Sequence, residues 1–98
     1  MTINEIAVRV VKDYLRYVVP KPKWWFSDDQ LYSIGVQRWA VEEIIVELRS
    51  HPNIPPLDTL ENLRRKWDNL ACAKKGSVGL SFSIAYDTVT HVIDYLIK

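Results

Sequence analysis

Cysteine is nearly missing from this chain. Cys72 stands alone, so no internal disulfide forms, whereas secreted domains of this size usually carry several paired cysteines as staples. A reducing compartment, the cytoplasm, is the expectation. An excess of charge of one sign is missing too: thirteen Lys and Arg against twelve Asp and Glu leave a formal charge of +1, and no global field draws in a polyanion such as DNA. Long apolar runs are absent. Glu5, Arg9, Lys12 and Asp13 break up the N-terminal stretch where a signal peptide would lie, and no other segment has the length and character of a bilayer span, so no membrane partner is expected. With three glycines there is no Gly-rich phosphate loop, and neither a G-x-S-x-G elbow nor an H-E-x-x-H pair occurs. No catalytic residue, metal ligand or cofactor-binding residue is predicted, and the chain is expected not to be an enzyme.

What is present is apolar periodicity. The 98 residues are 48% apolar and 26% charged, enough for one hydrophobic core and one domain over 1–98, and too apolar for intrinsic disorder. Thr2 with Glu5 forms a capping box, and Ile3, Ile6, Ala7, Val10, Val11, Tyr14, Tyr17 and Val18 follow at helical spacing until Pro20 ends the run. Pro20 and Pro22 make Pro20–Phe26 a Trp- and Pro-rich connector. Ser27 with Gln30 is a second capping box, with Asp28 and Asp29 placed at the positive end of the helix dipole. The long helix that follows carries Ile34, Ala40, Val41, Ile44, Ile45 and Leu48 on its core face. A second stripe, Tyr32, Val36, Trp39 and Val46, lies on another side, so this helix is touched from two directions, either by two internal neighbours or by one neighbour and an outside partner. Gly35 within it costs roughly 1 kcal/mol relative to alanine.

After the Pro-rich loop at His51–Pro56, Asp58 with Glu61 supplies a third start. Leu60, Leu63, Trp67, Leu70 and Ala71 share the face of that helix, while Glu61 with Arg65 and Arg64 with Asp68 stand one turn apart outside it. The last quarter supports two patterns. Val78, Leu80, Phe82, Ile84 and Tyr86 alternate as in a strand, yet Phe82, Ala85, Val89, Val92, Ile93 and Leu96 recur at helical spacing. A lone strand has no partner, so the helical pattern prevails from about Ser81. The predicted architecture is an all-α bundle of four helices near 2–18, 28–50, 57–73 and 81–97, with the Trp- and Pro-rich connector between the first two and neighbours antiparallel.

Sites of chemistry are few. Asp87, His91 and Asp94 share one side of the last helix, but the side opposite its apolar stripe, where a solvated face is the ordinary outcome. Cys72 follows the apolar face of the third helix and reads as a small, partly buried residue without a base beside it. Lys21, Lys23, Trp24 and Trp25 are the unusual cluster: such tryptophans stack on bases, lie in a headgroup layer, anchor a protein partner, or simply tuck over the bundle end. Adjacent side chains in an extended segment point to opposite faces, so at least one of the pair escapes full burial.

The run Pro55-Pro-Leu-Asp-Thr-Leu-Glu-Asn-Leu-Arg-Arg-Lys-Trp-Asp-Asn-Leu-Ala-Cys72, with Phe82-Ser-Ile-Ala-Tyr-Asp-Thr88, resembles short proteins of phages and mobile elements of low-GC Gram-positive bacteria. The resemblance covers the C-terminal half and carries over no functional residue. It implies a bacterial cytoplasm and an accessory role, for which binding a host or phage protein is a common mode. A protein-interaction module is therefore expected, a homodimer or an inhibitor of a larger enzyme, using Trp39, Tyr32, Val36 and Val46 or the Trp24 and Trp25 corner. The alternative is a nucleic-acid-binding accessory using Lys21, Lys23, Trp24 and Trp25 with the basic third helix and its exit, Arg64, Arg65, Lys66, Lys74 and Lys75. A helix-turn-helix is disfavoured because the joint before that helix is too long.

Overall fold

Each of the first three helices in the computed structural model, which describes residues 2–97, starts at a residue suited to a helix end. Helix α1 (Ile3–Tyr17) follows Thr2, whose hydroxyl accepts from the Glu5 N–H at 3.1 Å; the return bond from the Glu5 side chain is not made, so the first box is half formed. Helix α2 (Asp28–Ser50) has both halves of its box, Ser27 accepting from the Gln30 N–H and Gln30 from the Ser27 N–H. Helix α3 (Pro56–Ala73) begins earlier than Asp58. Pro55 holds the cap position without a side-chain bond and Pro56 opens the first turn, where a missing N–H costs nothing. Asp58 is left as a first-turn charge.

Helix α4 spans Gly76–Ile97, five residues more than the helical stripe indicates, and the described residues contain no strand. The alternation over 78–86 reflects serines interleaved with apolar residues on a helix. Two glycines make the early start workable. Gly76 sits at φ +69°, a conformation with little penalty for glycine alone, and reverses the chain after Lys74. At Gly79 a Cβ would lie 2.5 Å from the Lys74 carbonyl oxygen and 3.4 Å from that of Ala71. The α3–α4 turn closes onto the backbone of α4 because nothing projects there.

Two long-range contacts establish which helix ends meet. The buried Asn4 amide donates to the carbonyls of Leu48 (3.0 Å) and His51 (2.9 Å), tying the start of α1 to the end of α2. The Tyr32 hydroxyl donates to the Ser77 carbonyl at 3.0 Å and meets the Ser81 hydroxyl, tying the start of α2 to the start of α4. Sequential neighbours therefore run antiparallel, while α2 and α4 lie side by side and parallel, giving a four-helix bundle.

The core is one cluster. From α2 it takes all six residues of the predicted face; α3 contributes Leu60, Leu63 and Trp67, and α4 contributes Ala85, Val89, Val92 and Ile93. Helix α1 is rotated from the predicted arc: Asn4, Ala7, Val8, Val11 and Tyr14 are buried, and Ile3, Ile6, Tyr17 and Val18 are exposed. The cause is Asn4, whose amide reaches the Leu48 carbonyl that α2 leaves unpaired in its last turn and adds a bond to the His51 carbonyl, which also accepts from the Ile54 N–H, so the polar residue goes inward and the flanking isoleucines go to the rim. Tyr95 packs edge-on against Tyr14, centroids 5.4 Å apart.

Candidate functional site

Exposed apolar side chains border two hollows: one of about 310 Å³ where Ile3 and Ile6 of α1 face Leu57 of α3, and a larger, aromatic-lined one between α2 and α4. Leu31, Gly35 and Trp39 follow one another at four-residue intervals along α2, with Tyr32 and Val36 beside them, and Val78, Ser81 and Phe82 of α4 form the opposite wall of a groove of about 470 Å³. Trp39, 41% exposed, is its floor. Its ring rests on Trp67 at 5.6 Å, tilted by 38°, and meets Phe82 nearly edge-on at 6.3 Å, the second a geometry that aromatic quadrupoles favour. The Ser81 hydroxyl donates to the Ser77 carbonyl at 2.9 Å and meets Tyr32, so its hydrogen bonds are spent inside the fold. The groove offers apolar area and shape, with no acid and base set side by side.

Three of the four residues in the predicted second stripe of α2 come together here. Val46 does not. It is exposed two turns beyond Trp39 and lies outside the groove, because Val78 and Phe82 flank only the N-terminal half of α2. Tyr32 does double work, lining the wall and pinning α2 to α4 through its hydroxyl. The α4 wall was not legible as part of a site, since the strand-like alternation of 78–86 disguised which residues share a helical face. Gly35 is the second surprise: a Cβ built there would meet nothing within 4 Å, so no internal packing requires a glycine.

The connector tryptophans are not tucked in. Phe26 takes the half-buried place against the core, and its N–H donates to the Lys23 carbonyl at 3.1 Å, closing a turn whose two corner residues are Trp24 and Trp25. They are 92% and 62% exposed, with rings edge-on at 5.6 Å and 89°. Lys21 and Lys23 beside them are exposed, as are Lys74 and Lys75.

The basic third helix is divided by the fold. Arg64 pairs with Glu61 at 3.1 Å, in place of the predicted Asp68 and Arg65 pairings, and lies over the Tyr86 ring at 5.9 Å. Lys66 lines a separate hollow of about 210 Å³ of mixed character with Glu47, His51, Thr59 and Asn62 beside Ile54 and Leu63. The Thr59 hydroxyl is closed off from solvent there, without a hydrogen-bond partner among the described residues.

Cys72 is exposed, a correction: Leu70 and Ala71 complete the inward face of α3, and the next residue turns outward. Asp87, His91 and Asp94 face solvent, and among the described residues no three His, Cys, Asp or Glu side chains converge as a metal site would require. Among the same residues no helix is long and apolar enough to cross a membrane. Comparison with protein-family models, with curated proteins and with solved structures gives no match.

Proposed function

We infer that the chain is a non-enzymatic protein-interaction module that seats an apolar helical face of a partner in the groove between α2 and α4. The observation that carries this is Gly35. A glycine in a helix interior costs about 1 kcal/mol, and here no neighbour within the chain needs the space. The missing side chain leaves room for something outside it, at the centre of an aromatic-lined groove. From Leu31 to Trp39 the groove runs eight residues, about 12 Å at 1.5 Å per residue, which matches two turns of a docked helix read through its i, i+4 and i+7 positions.

A second copy of the chain is the first partner to consider. Leu31 and Trp39 are each four residues from Gly35, so two α2 helices crossing at their glycines bring Leu31 of each against Trp39 of the other, the self-complementary arrangement a two-fold dimer needs. The resemblance of residues 55–72 and 82–88 to short phage and mobile-element proteins supports an accessory role in a bacterial cytoplasm, with capture or inhibition of a host or phage protein as the heterologous form of the same docking.

Sedimentation equilibrium of wild type and Trp39→Ala tests this. A Trp at the centre of an interface contributes 2 kcal/mol or more, so the variant should weaken association by about thirtyfold while the helical circular dichroism persists. A wild-type chain that stays monomeric to about millimolar concentration removes the self-association form. Association unchanged in Trp39→Ala removes the groove.

A further inference from the structure

We propose that the connector end of the bundle is a docking face for an anionic lipid surface, with Trp24 and Trp25 seated in the headgroup layer. The Asn4 and Tyr32 contacts place the end of α1, the connector, the start of α2, the end of α3 and the start of α4 together at one pole. In the terminal turns and connections of that pole, five cations (Arg16, Lys21, Lys23, Lys74 and Lys75) stand against two carboxylates, Asp28 and Asp29. At the opposite pole, among the described residues, Arg49 is the one cation of the terminal turns, against Glu5, Glu47, Asp58 and Asp94. The near-zero net charge thus conceals a molecule that is basic at one end and acidic at the other. An anionic surface orients it connector first.

The side chains at the basic pole suit such a surface. Trp and Tyr are the residues that settle at the membrane–water boundary, where one part of the ring is apolar and the other wet. Here Trp24, Trp25 and Tyr17 are all largely exposed, and the aliphatic Val18 and Leu80 are exposed at the same pole. The tryptophans are presented by structure: they occupy the corner of the Lys23–Phe26 turn, Phe26 packs against the core, and Pro20 and Pro22 restrict the backbone leading to it. Each lysine or arginine close to an anionic bilayer adds about fivefold to the partition.

Single-stranded nucleic acid fits less well. The two indoles stand at 89°, so they cannot serve as parallel platforms for successive bases; none of the cavities described above is lined by Trp24, Trp25, Lys21 or Lys23; and exposed valine and leucine contribute nothing to a phosphate track. The proposal is independent of the groove. It departs from the expectation of no membrane partner, which rests on the lack of a spanning segment and of a run fit for a signal peptide and does not address surface docking.

The test uses the full chain with extruded vesicles of phosphatidylcholine containing about one quarter phosphatidylglycerol, with vesicles of phosphatidylcholine alone, and with oligothymidylate. The expected result is cosedimentation with the anionic vesicles at low salt, a blue shift of tryptophan emission, release as salt is raised, and little binding to neutral vesicles. Lys21→Ala with Lys23→Ala should lower the partition about thirtyfold, and Trp24→Ala with Trp25→Ala should abolish the blue shift, while Trp39→Ala leaves binding intact. All four connector residues are exposed, so a circular dichroism spectrum like that of wild type is expected from both double variants. Failure to bind anionic vesicles, equal binding to neutral ones, or unchanged binding by either double variant overturns the proposal. Quenching by oligothymidylate without any response to vesicles assigns the pole to single-stranded nucleic acid instead.

Discussion

Two glycine-to-alanine substitutions in this chain should move stability in opposite directions. Both positions are helical, and both gain about 1 kcal/mol of intrinsic propensity when a methyl group is added. At Gly35 that gain is unopposed, because the added carbon meets nothing within 4 Å, and a domain of this size should melt about 4–8 °C higher. At Gly79 the new carbon would sit 2.5 Å from the Lys74 carbonyl oxygen, 3.2 Å from its carbon and 3.4 Å from the Ala71 oxygen. All three are backbone atoms and cannot rotate aside, so the α3–α4 turn must open. Forcing atoms into a packed site costs typically 1–3 kcal/mol, which against the propensity gain leaves Gly79→Ala with a net loss of up to about 2 kcal/mol and a melting point lower by up to about 16 °C. Thermal unfolding followed by circular dichroism reads both. A Gly79→Ala protein that melts at or above wild type would show that α4 does not start against the Lys74 carbonyl. Gly35→Ala carries a further consequence: it should be the more stable protein and the poorer binder, since its methyl group fills the centre of the groove. A variant that gains both stability and association would refute the role given to Gly35.

Two other perturbations follow from the interior. Asn4→Ala removes both bonds to the Leu48 and His51 carbonyls; the His51 carbonyl keeps the Ile54 N–H, so the buried Leu48 carbonyl is the acceptor left unmet, a loss of about 1–3 kcal/mol visible as a lower urea midpoint at unchanged slope. Stability equal to wild type would mean that the Leu48 carbonyl has another partner. Burial pushes the Tyr14 phenol above its ordinary value of 10.0. As pH rises past 10 the unfolded chain therefore gives up this proton before the folded one does, so stability is complete below that pH and declines above it. Tyr14→Phe should flatten the alkaline decline in urea titrations across that range, and an identical decline in both proteins would rule Tyr14 out as its source.

The helices were legible where their signals are local. Ser27 and Gln30 sit three residues apart and make both bonds of their box; the core face of α2 repeats over four turns and is buried along its length. Misreadings occurred where a distant residue decides. In α1, two overlapping arcs of apolar residues are equally helical, and the choice between them was made by Asn4 finding carbonyls 44 and 47 residues away. In α4, Ser81 and Ser83 alternate with apolar residues as they would in a strand. What holds the segment helical is its packing beside α2 and the close approach at Gly79, neither of which leaves a periodic mark.

The same distinction governs the surfaces. A stripe on one helix shows where a neighbour could lie, but the neighbour's own extent decides which part becomes a groove: Trp39 and Val46 are seven residues apart on one face of α2, and only Trp39 has Phe82 across from it. Charge behaves alike. A total of +1 is a sum over the chain, and a sum carries no information about separation. Lys23 and Lys74 are 51 positions apart in sequence, yet antiparallel packing puts both at the pole where α1 ends and α4 begins. In an up-and-down bundle every other connection falls at the same end, so charge in the first and third connections accumulates at one pole and charge in the second at the other. Here the first carries Lys21 and Lys23 and the third Lys74 and Lys75, while the second, His51–Pro55, carries no lysine or arginine. Balanced composition therefore coexists with a polar molecule once the helix order is known.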